Sequence, residues 1–410
     1  MTTRTAVVLQ PLPNLAWPGA TGYSEFPSLG AARLSDDFSH LEVQVRAGHP
    51  RAPLDVKESL DSNPDVVIIG DFRYYAYFAN PLHLISACLR DVRNAGWTGP
   101  VVIAGRHASQ MASLATNGVT IAGSYRDLVT LVSGVPAEGH GLGGDDDALP
   151  GPGVPDMAVL DDGTDLPGSF SRPGSRMGQL VLSKGCPFTC AFCEKAGLPV
   201  STMSLDQLEV ALDRFAKHRI ERIIFWDEVF AWPHNVHKEQ IRMLGRSKMG
   251  FNCNARLDSL RPDFVDLLAE AGCKEVLFGL ELIHEFEPVQ SGYLGLDKGK
   301  QKGVQFISER IQSLKSHGIS PVGSLIVGLP GDDERTIARR IDMADSLGLS
   351  HCYIRPLVPF PESAIYRELR SADAIADFSQ WNRDELASFP HGYPTVSSLP
   401  RMLLAALCGR

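Results

Sequence analysis

No apolar run in this chain reaches the ~18 residues that a membrane-crossing helix needs, and no basic start followed by an apolar core opens it. Neither a span nor a secretory leader is expected, and the reading is a soluble cytoplasmic protein. Basic residues are scarce. Lys and Arg number 39 against 48 Asp and Glu, a net charge of −9, which leaves no electrostatic footprint for nucleic acid or an anionic membrane. No internal repeat of fixed period is evident, and no Gly-x-Gly-x-x-Gly follows the first strand-like run, so a dinucleotide site is unsupported. Five of the eight cysteines (Cys88, Cys253, Cys273, Cys352, Cys408) are scattered without close pairing and read as buried thiols. What is present, 44% apolar and 21% charged residues in 410, suits a globular chain with room for two or three domains.

The other three cysteines stand together in Cys186-Pro-Phe-Thr-Cys190-Ala-Phe-Cys193, just after the apolar run Leu180-Val-Leu182. Pro187 pushes Cys186 towards extended geometry, so the segment reads as a loop. Three thiolates on a short loop suit three corners of an iron–sulfur cubane, leaving one iron open to a small molecule. Other uses stand beside that one. Cys190-Ala-Phe-Cys193 alone is a redox Cys-x-x-Cys, which does not explain Cys186; a structural zinc wants a fourth ligand, and the next histidine is His218; buried thiols can also cluster by chance.

Around this loop a strand–helix rhythm runs through the chain. In residues 1–135 the strands are Thr5–Leu9, Leu41–Val45, Asp65–Gly70, Val101–Gly105 and Val119–Ala122, with a helix from Pro81 to Gly96. This predicts a parallel, doubly wound sheet, with ligands at the carboxyl ends of the strands, where Gly70 and Gly105 let a backbone approach. Residues 136–177 turn to Gly, Pro and Asp and read as a linker whose Asp145–Asp147 triplet is solvated. Over 178–365 the rhythm returns, with strands at Arg222–Trp226, Gly250–Asn254, Glu275–Gly279, Val322–Val327 and Cys352–Arg355. Ser204 and Gln207 form a capping box, Pro262 opens a helix that Gly272 closes, and Gly318 ends another. With the strand before the cysteines these make six βα units, a partial barrel whose chemistry lies at the strand carboxyl ends. Residues 366–410 form a C-terminal extension.

The spacing Cys-x3-Cys-x2-Cys, with Phe192 before the third cysteine, resembles the signature of the radical S-adenosylmethionine (SAM) superfamily. That resemblance implies a [4Fe–4S] cluster on Cys186, Cys190 and Cys193 whose open iron chelates the amino and carboxylate groups of SAM. It further implies reductive cleavage of SAM to a 5′-deoxyadenosyl radical that abstracts a substrate hydrogen. Further matches follow in the family's order. Asp227-Glu228 stand where relatives place polar groups for the SAM amino group, and Arg256 matches an arginine near the SAM carboxylate. Glu281 in Phe278-Gly-Leu-Glu-Leu282 matches the fourth-strand motif. Gly328 in Val327-Gly-Leu-Pro-Gly331 matches the motif that packs on adenine, and Pro359-Phe-Pro361 resembles the turn after the sixth strand.

The N-terminal third resembles the cobalamin-binding domain in front of many radical SAM enzymes. The residues that carry this are Pro27–Gly30, Pro64–Gly70, Val101–Ser109 with His107, and Asn117–Gly123. Ala104 replaces the family's first glycine, Ser124-Tyr-Arg126 replaces an acidic turn, and the Asp-x-His-x-x-Gly that supplies an axial histidine in other cobalamin proteins is absent. The resemblance implies a cobalamin-dependent methyltransferase acting on an unactivated carbon of a small metabolite, served by a flavodoxin- or ferredoxin-type electron donor. A non-methylating radical reaction, such as rearrangement, ring formation, sulfur insertion or transfer of another SAM-derived group, with a vestigial or repurposed cobalamin-type domain, is the alternative.

Overall fold

The computed structural model of the chain describes residues 5–10, 42–47, 55–71, 81–105, 111–112, 114–116, 118–122, 125–133, 177–280, 304–327, 333–357 and 363–371. They fall into two compact units, one within residues 1–160 and the other within 161–377.

The first unit is built on five strands: β1 (Thr5–Gln10), β2 (Glu42–Ala47), β3 (Val66–Asp71), β4 (Val101–Gly105) and β5 (Val119–Ile121). All pair in parallel, in the order β2-β1-β3-β4-β5. The runs Ala6–Leu9, Val66–Ile69 and Val101–Ala104 are buried throughout rather than alternating, as strands covered on both faces require. Helix Pro81–Asn94 turns Ile85, Cys88 and Val92 into a core shared with Val67, Ile69 and Ile103. Helices Val56–Leu60, capped by Asp55, and Tyr125–Ser133 complete the described part of this unit. The order 2-1-3-4-5 is one of the two common doubly wound orders, and it reverses beside β1 and β3. Gly70 lies opposite Ala104, and Gly105 opposite Asp71, at the carboxyl ends of β3 and β4.

The second unit carries β6 (Met177–Leu180), a short ladder of β7 (Ser183–Lys184) and β8 (Ser201–Thr202), then β9 (Arg222–Phe225), β10 (Gly250–Ala255), β11 (Cys273–Gly279), β12 (Ser320–Val327) and β13 (His351–Pro356). Six of these form one parallel sheet in chain order, β6-β9-β10-β11-β12-β13. Helices Leu205–Lys217, Lys238–Ser247, Pro262–Glu270, Val304–Ser316 and Glu334–Ser346 connect successive strands, which is the expected six-unit partial barrel. Among the described residues β6 and β13 do not pair with one another.

Local signals account for the helix ends. Gln207 N–H donates to Ser204 Oγ at 3.2 Å while Ser204 N–H donates to Gln207 Oε1 at 2.9 Å, the reciprocal box read from the sequence. Pro262 occupies the first turn of its helix. Helix Leu205–Lys217 lies so close to β6 that a Cβ on Gly178 would meet the Phe215 ring at 2.8 Å, so a larger residue there would push helix from sheet. That contact also assigns the faces. Gly178 and its register partner Ile223 face the helices, while Gln179, Ile224, Asn252 and Glu275, in register across four strands, face the barrel interior.

His107, Glu281, Gly328, the Pro359–Pro361 turn, residues 136–176 of the linker and residues 372–410 of the C-terminal extension lie outside the described residues. The sequence missed helices Val56–Leu60, Lys238–Ser247, Glu334–Ser346 and Ala364–Ser371. It read Cys253 and Cys273 as buried thiols without close pairing along the chain. Both are buried thiols as read, and strand pairing adds that they are neighbours on β10 and β11.

Candidate active site

The three clustered cysteines lie on one loop at the carboxyl end of β6, and its root is closed by the β7–β8 ladder. Ser183 pairs with Thr202 and Lys184 with Ser201. Inside the ladder the chain folds on itself: Gly197 N–H donates to the carbonyl of Phe188 at 2.8 Å, and Cys193 N–H to that of Cys190 at 3.0 Å. Gly185 makes the closure possible. Its φ is +95°, and a Cβ there would sit 1.9 Å from the carbonyl oxygen of Pro199.

Asp227 fastens this root from below. It is 0% exposed, and its carboxylate accepts from Leu182 N–H at 2.8 Å, Ser183 N–H at 2.7 Å and the Ser183 hydroxyl at 2.6 Å. Burial pushes its pKa up to about 7 against the downward pull of those donors. The sequence reading gave Asp227 to the SAM amino group; the structure turns both of its oxygens to the backbone before the cysteines. Its neighbour Glu228 accepts from Gly185 N–H at 3.0 Å and is close enough to bear electrostatically on Cys186 and Cys193. The expected pair therefore divides, with Asp227 under the loop and Glu228 beside the thiols.

None of the three cysteines is in a disulfide. Burial lifts Cys186 to about 11 and Cys193 to about 12, and each is raised further by the thiols beside it. Donors partly offset this: Phe188 N–H and the Arg256 charge pull Cys186 down, and Lys195 N–H points at Cys193 Sγ at 3.4 Å; Arg256 Nη1 points at Cys190 Sγ at 3.6 Å. Three mutually close thiols on one loop, with N–H groups aimed at two of the sulfurs, suit an iron–sulfur cluster. Among the described residues no three His, Cys, Asp or Glu side chains converge on one point to chelate a single ion. A cubane does not need that convergence, since each thiolate meets a different iron.

Arg256 comes from the end of β10. Its Nε and Nη2 donate to the two oxygens of Asp258 at 3.0 Å each, and its Cζ lies 3.8 Å from the centroid of the Phe188 ring. Phe188 in turn packs on Trp232 with centroids 5.2 Å apart. On another side Ile365 N–H, at the start of helix Ala364–Ser371, donates to the carbonyl of Ala191 at 3.0 Å. Phe192 is half-buried between the second and third cysteines. Sequence reasoning missed Gly185, Phe188, Asp258 and Ile365. Gly185 was visible as the glycine before Cys186-Pro187; the rest needed the fold.

Farther into the barrel lies a second polar group. Trp226 Nε1–H donates to Gln179 Oε1 at 2.7 Å. Opposite one another on β10 and β11, Asn252 and Glu275 are buried with no hydrogen-bond partner on any side-chain polar atom. Burial raises Glu275 to about 7, although Arg222 pulls it down.

The sequence profile of the radical SAM superfamily matches residues 180–344, from the strand before the cysteine loop to the helix after β12. Through this stretch the chain is similar to the radical SAM superfamily. The superfamily's cofactors are a [4Fe–4S] cluster and SAM, and Cys186, Cys190 and Cys193 form the donor set that suits the cluster. The chain has curated relatives of low identity. Bacteriochlorophyllide d C-12(1)-methyltransferase of Chlorobaculum tepidum is 21% identical over 216 residues, covering 51% of this chain and 45% of that protein. The anaerobic magnesium-protoporphyrin IX monomethyl ester cyclase of Rubrivivax gelatinosus is 26% identical over 209 residues, 48% of this chain and 38% of that protein. The chain thus spans less than half the length of these relatives. Among solved structures, the radical SAM methyltransferase TsrM of Kitasatospora setae, determined with cobalamin and a [4Fe–4S] cluster, shares the fold. Its TM-score is 0.65 at 16% identity, with coverage of 91% of this chain and 79% of that one. No helix among the described residues is long and apolar enough to cross a membrane.

Proposed function

We propose that this protein is a cobalamin-dependent radical SAM methyltransferase acting on an unactivated carbon of a small molecule. The observation that carries the reading is the pairing, in one chain, of a parallel 2-1-3-4-5 sheet with a six-stranded parallel half-barrel bearing three cysteines on its first loop. The TsrM fold, solved with cobalamin and a [4Fe–4S] cluster, extends over both of these parts. Residues 1–135 are the cobalamin-binding-type domain, 136–177 a linker, 178–365 the radical SAM half-barrel and 366–410 an extension. When bound, the cluster and SAM supply radical chemistry, and cobalamin supplies a transferable methyl group.

The chain's own residues bind, orient and exclude water. Cys186, Cys190 and Cys193 hold the cluster, with Phe192 packed between the last two. Glu228, beside the thiols, is the residue assigned to the SAM amino group, and Glu281 and Gly328 are assigned to the same cofactor. Gly70 and Gly105, at the carboxyl ends of β3 and β4, and His107 are the residues assigned to cobalamin. Reduction comes from a flavodoxin- or ferredoxin-type donor.

Anaerobic reconstitution with iron, sulfide and cobalamin tests the reading. About four irons per chain and retained cobalamin are expected, with a methylated product and both S-adenosylhomocysteine and deoxyadenosine formed. Deoxyadenosine without S-adenosylhomocysteine would select a non-methylating radical reaction instead. That second reading is favoured by the cyclase among the relatives and by Ala104 at the family's first glycine.

A further inference from the structure

The surroundings of Arg256 are not those of a side chain waiting for a ligand carboxylate. The forked edge formed by Nε and Nη2 is already engaged by both oxygens of Asp258 at 3.0 Å. Phe188 lies under the guanidinium plane at 3.8 Å and fixes its tilt. Held by these two groups, Arg256 directs Nη1 at Sγ of Cys190, 3.6 Å away. The side chain's rotamer freedom is thus restrained by partners in the chain itself, and what remains aimed is a cationic donor at a cysteine sulfur.

We infer that Arg256 is a positioning residue for the electronics of the cluster: it donates a charge-assisted hydrogen bond to the Cys190 thiolate and raises the cluster's reduction potential. The inference rests on the three-cysteine cluster described above. Reduction places one more negative charge on the cluster and its sulfurs, and a fixed cationic donor stabilises that form more than the oxidised one. Hydrogen bonds to sulfur and local charge are among the established determinants of such potentials. Asp258 aims the guanidinium, and Phe188 carries it on the cysteine loop itself, so that the donor and its sulfur acceptor are held together.

The test uses full-length protein, reconstituted anaerobically without SAM and titrated redox-potentiometrically with the reduced cluster read by electron paramagnetic resonance. With about four irons retained, Arg256→Gln is expected to lower the reduced-to-oxidised ratio at a fixed potential about tenfold, a shift of about 59 mV for a one-electron couple. An unchanged midpoint in a variant holding its cluster overturns the inference. If that variant also binds SAM more weakly, Arg256 belongs to the SAM carboxylate instead. A wild-type protein that takes up no cluster overturns the cluster assignment along with the inference, and the two failures are told apart by iron content. One further measurement needs no variant. In wild-type protein grown on guanidino-15N arginine, pulsed resonance of the reduced cluster should show a 15N coupling, and its absence overturns the inference.

Discussion

Glu275→Gln removes one buried charge from the barrel interior while keeping the side chain's volume. Glu275 is 1% exposed, neither of its oxygens has a hydrogen-bond partner, and its opposite neighbour Asn252 is equally unpartnered. Burial moves its pKa from the ordinary 4.5 to about 7, which corresponds to about 3 kcal/mol against the ionised form in the fold. The folded carboxyl keeps its proton to higher pH than the unfolded one. The stability it contributes is therefore complete below about pH 4.5 and is lost as the pH climbs through about 7. The glutamine amide of the variant cannot titrate. Any cost of leaving that amide unpaired is the same at every pH and cancels from a pH comparison. Urea unfolding of both proteins at pH 5 and pH 8 should show wild type losing about 2 to 3 kcal/mol relative to Glu275→Gln over that interval. Stability differences that stay constant from pH 5 to pH 8 would refute the reasoning, because they would mean that Glu275 is solvated or paired in the fold.

Gly185→Ala should prevent the cysteine loop from closing. The new Cβ would lie 1.9 Å from a backbone oxygen, and the left-handed backbone alone costs about 1 to 2 kcal/mol; iron uptake should fall to a small fraction of wild type, and full uptake would contradict the geometry. Ser183→Ala removes one of the three donors to Asp227, so unfolding should become easier by about 1 to 2 kcal/mol in urea, with the spectrum of any bound cluster unchanged. Gln179→Leu leaves the buried Trp226 N–H unsatisfied and should cost about 1 to 3 kcal/mol, whereas adding Trp226→Phe should restore part of that loss. Strict additivity of those two substitutions in unfolding measurements would mean that the indole and amide do not depend on one another.

Most of the scaffold was readable in advance. Strands such as Val66–Asp71 and Val101–Gly105 announce themselves as unbroken apolar runs, because a parallel sheet covered on both faces needs no alternation. The capping box at Ser204 and the proline at 262 set helix starts through contacts within four residues. The site divides differently. Glu228 lies beside the thiols as its place after β9 suggests, but Asp227, adjacent in sequence, turns the other way and fastens the loop's root. Arg256 was read as a fork for a ligand; Asp258, two residues on, occupies that fork, and nothing in the string Arg-Leu-Asp announces it.

The sequence by itself determined the donor set and the rhythm of strands and helices, because both are properties of neighbours along the chain: three thiols within eight residues, and periodic apolar positions between turns. Only the tertiary structure decided what surrounds those thiols. Asp227 reaches Leu182 across 45 positions and Arg256 reaches Cys190 across 66. Contacts at that separation depend on which strand ends the barrel brings side by side and which way each side chain turns there, and no local pattern encodes either.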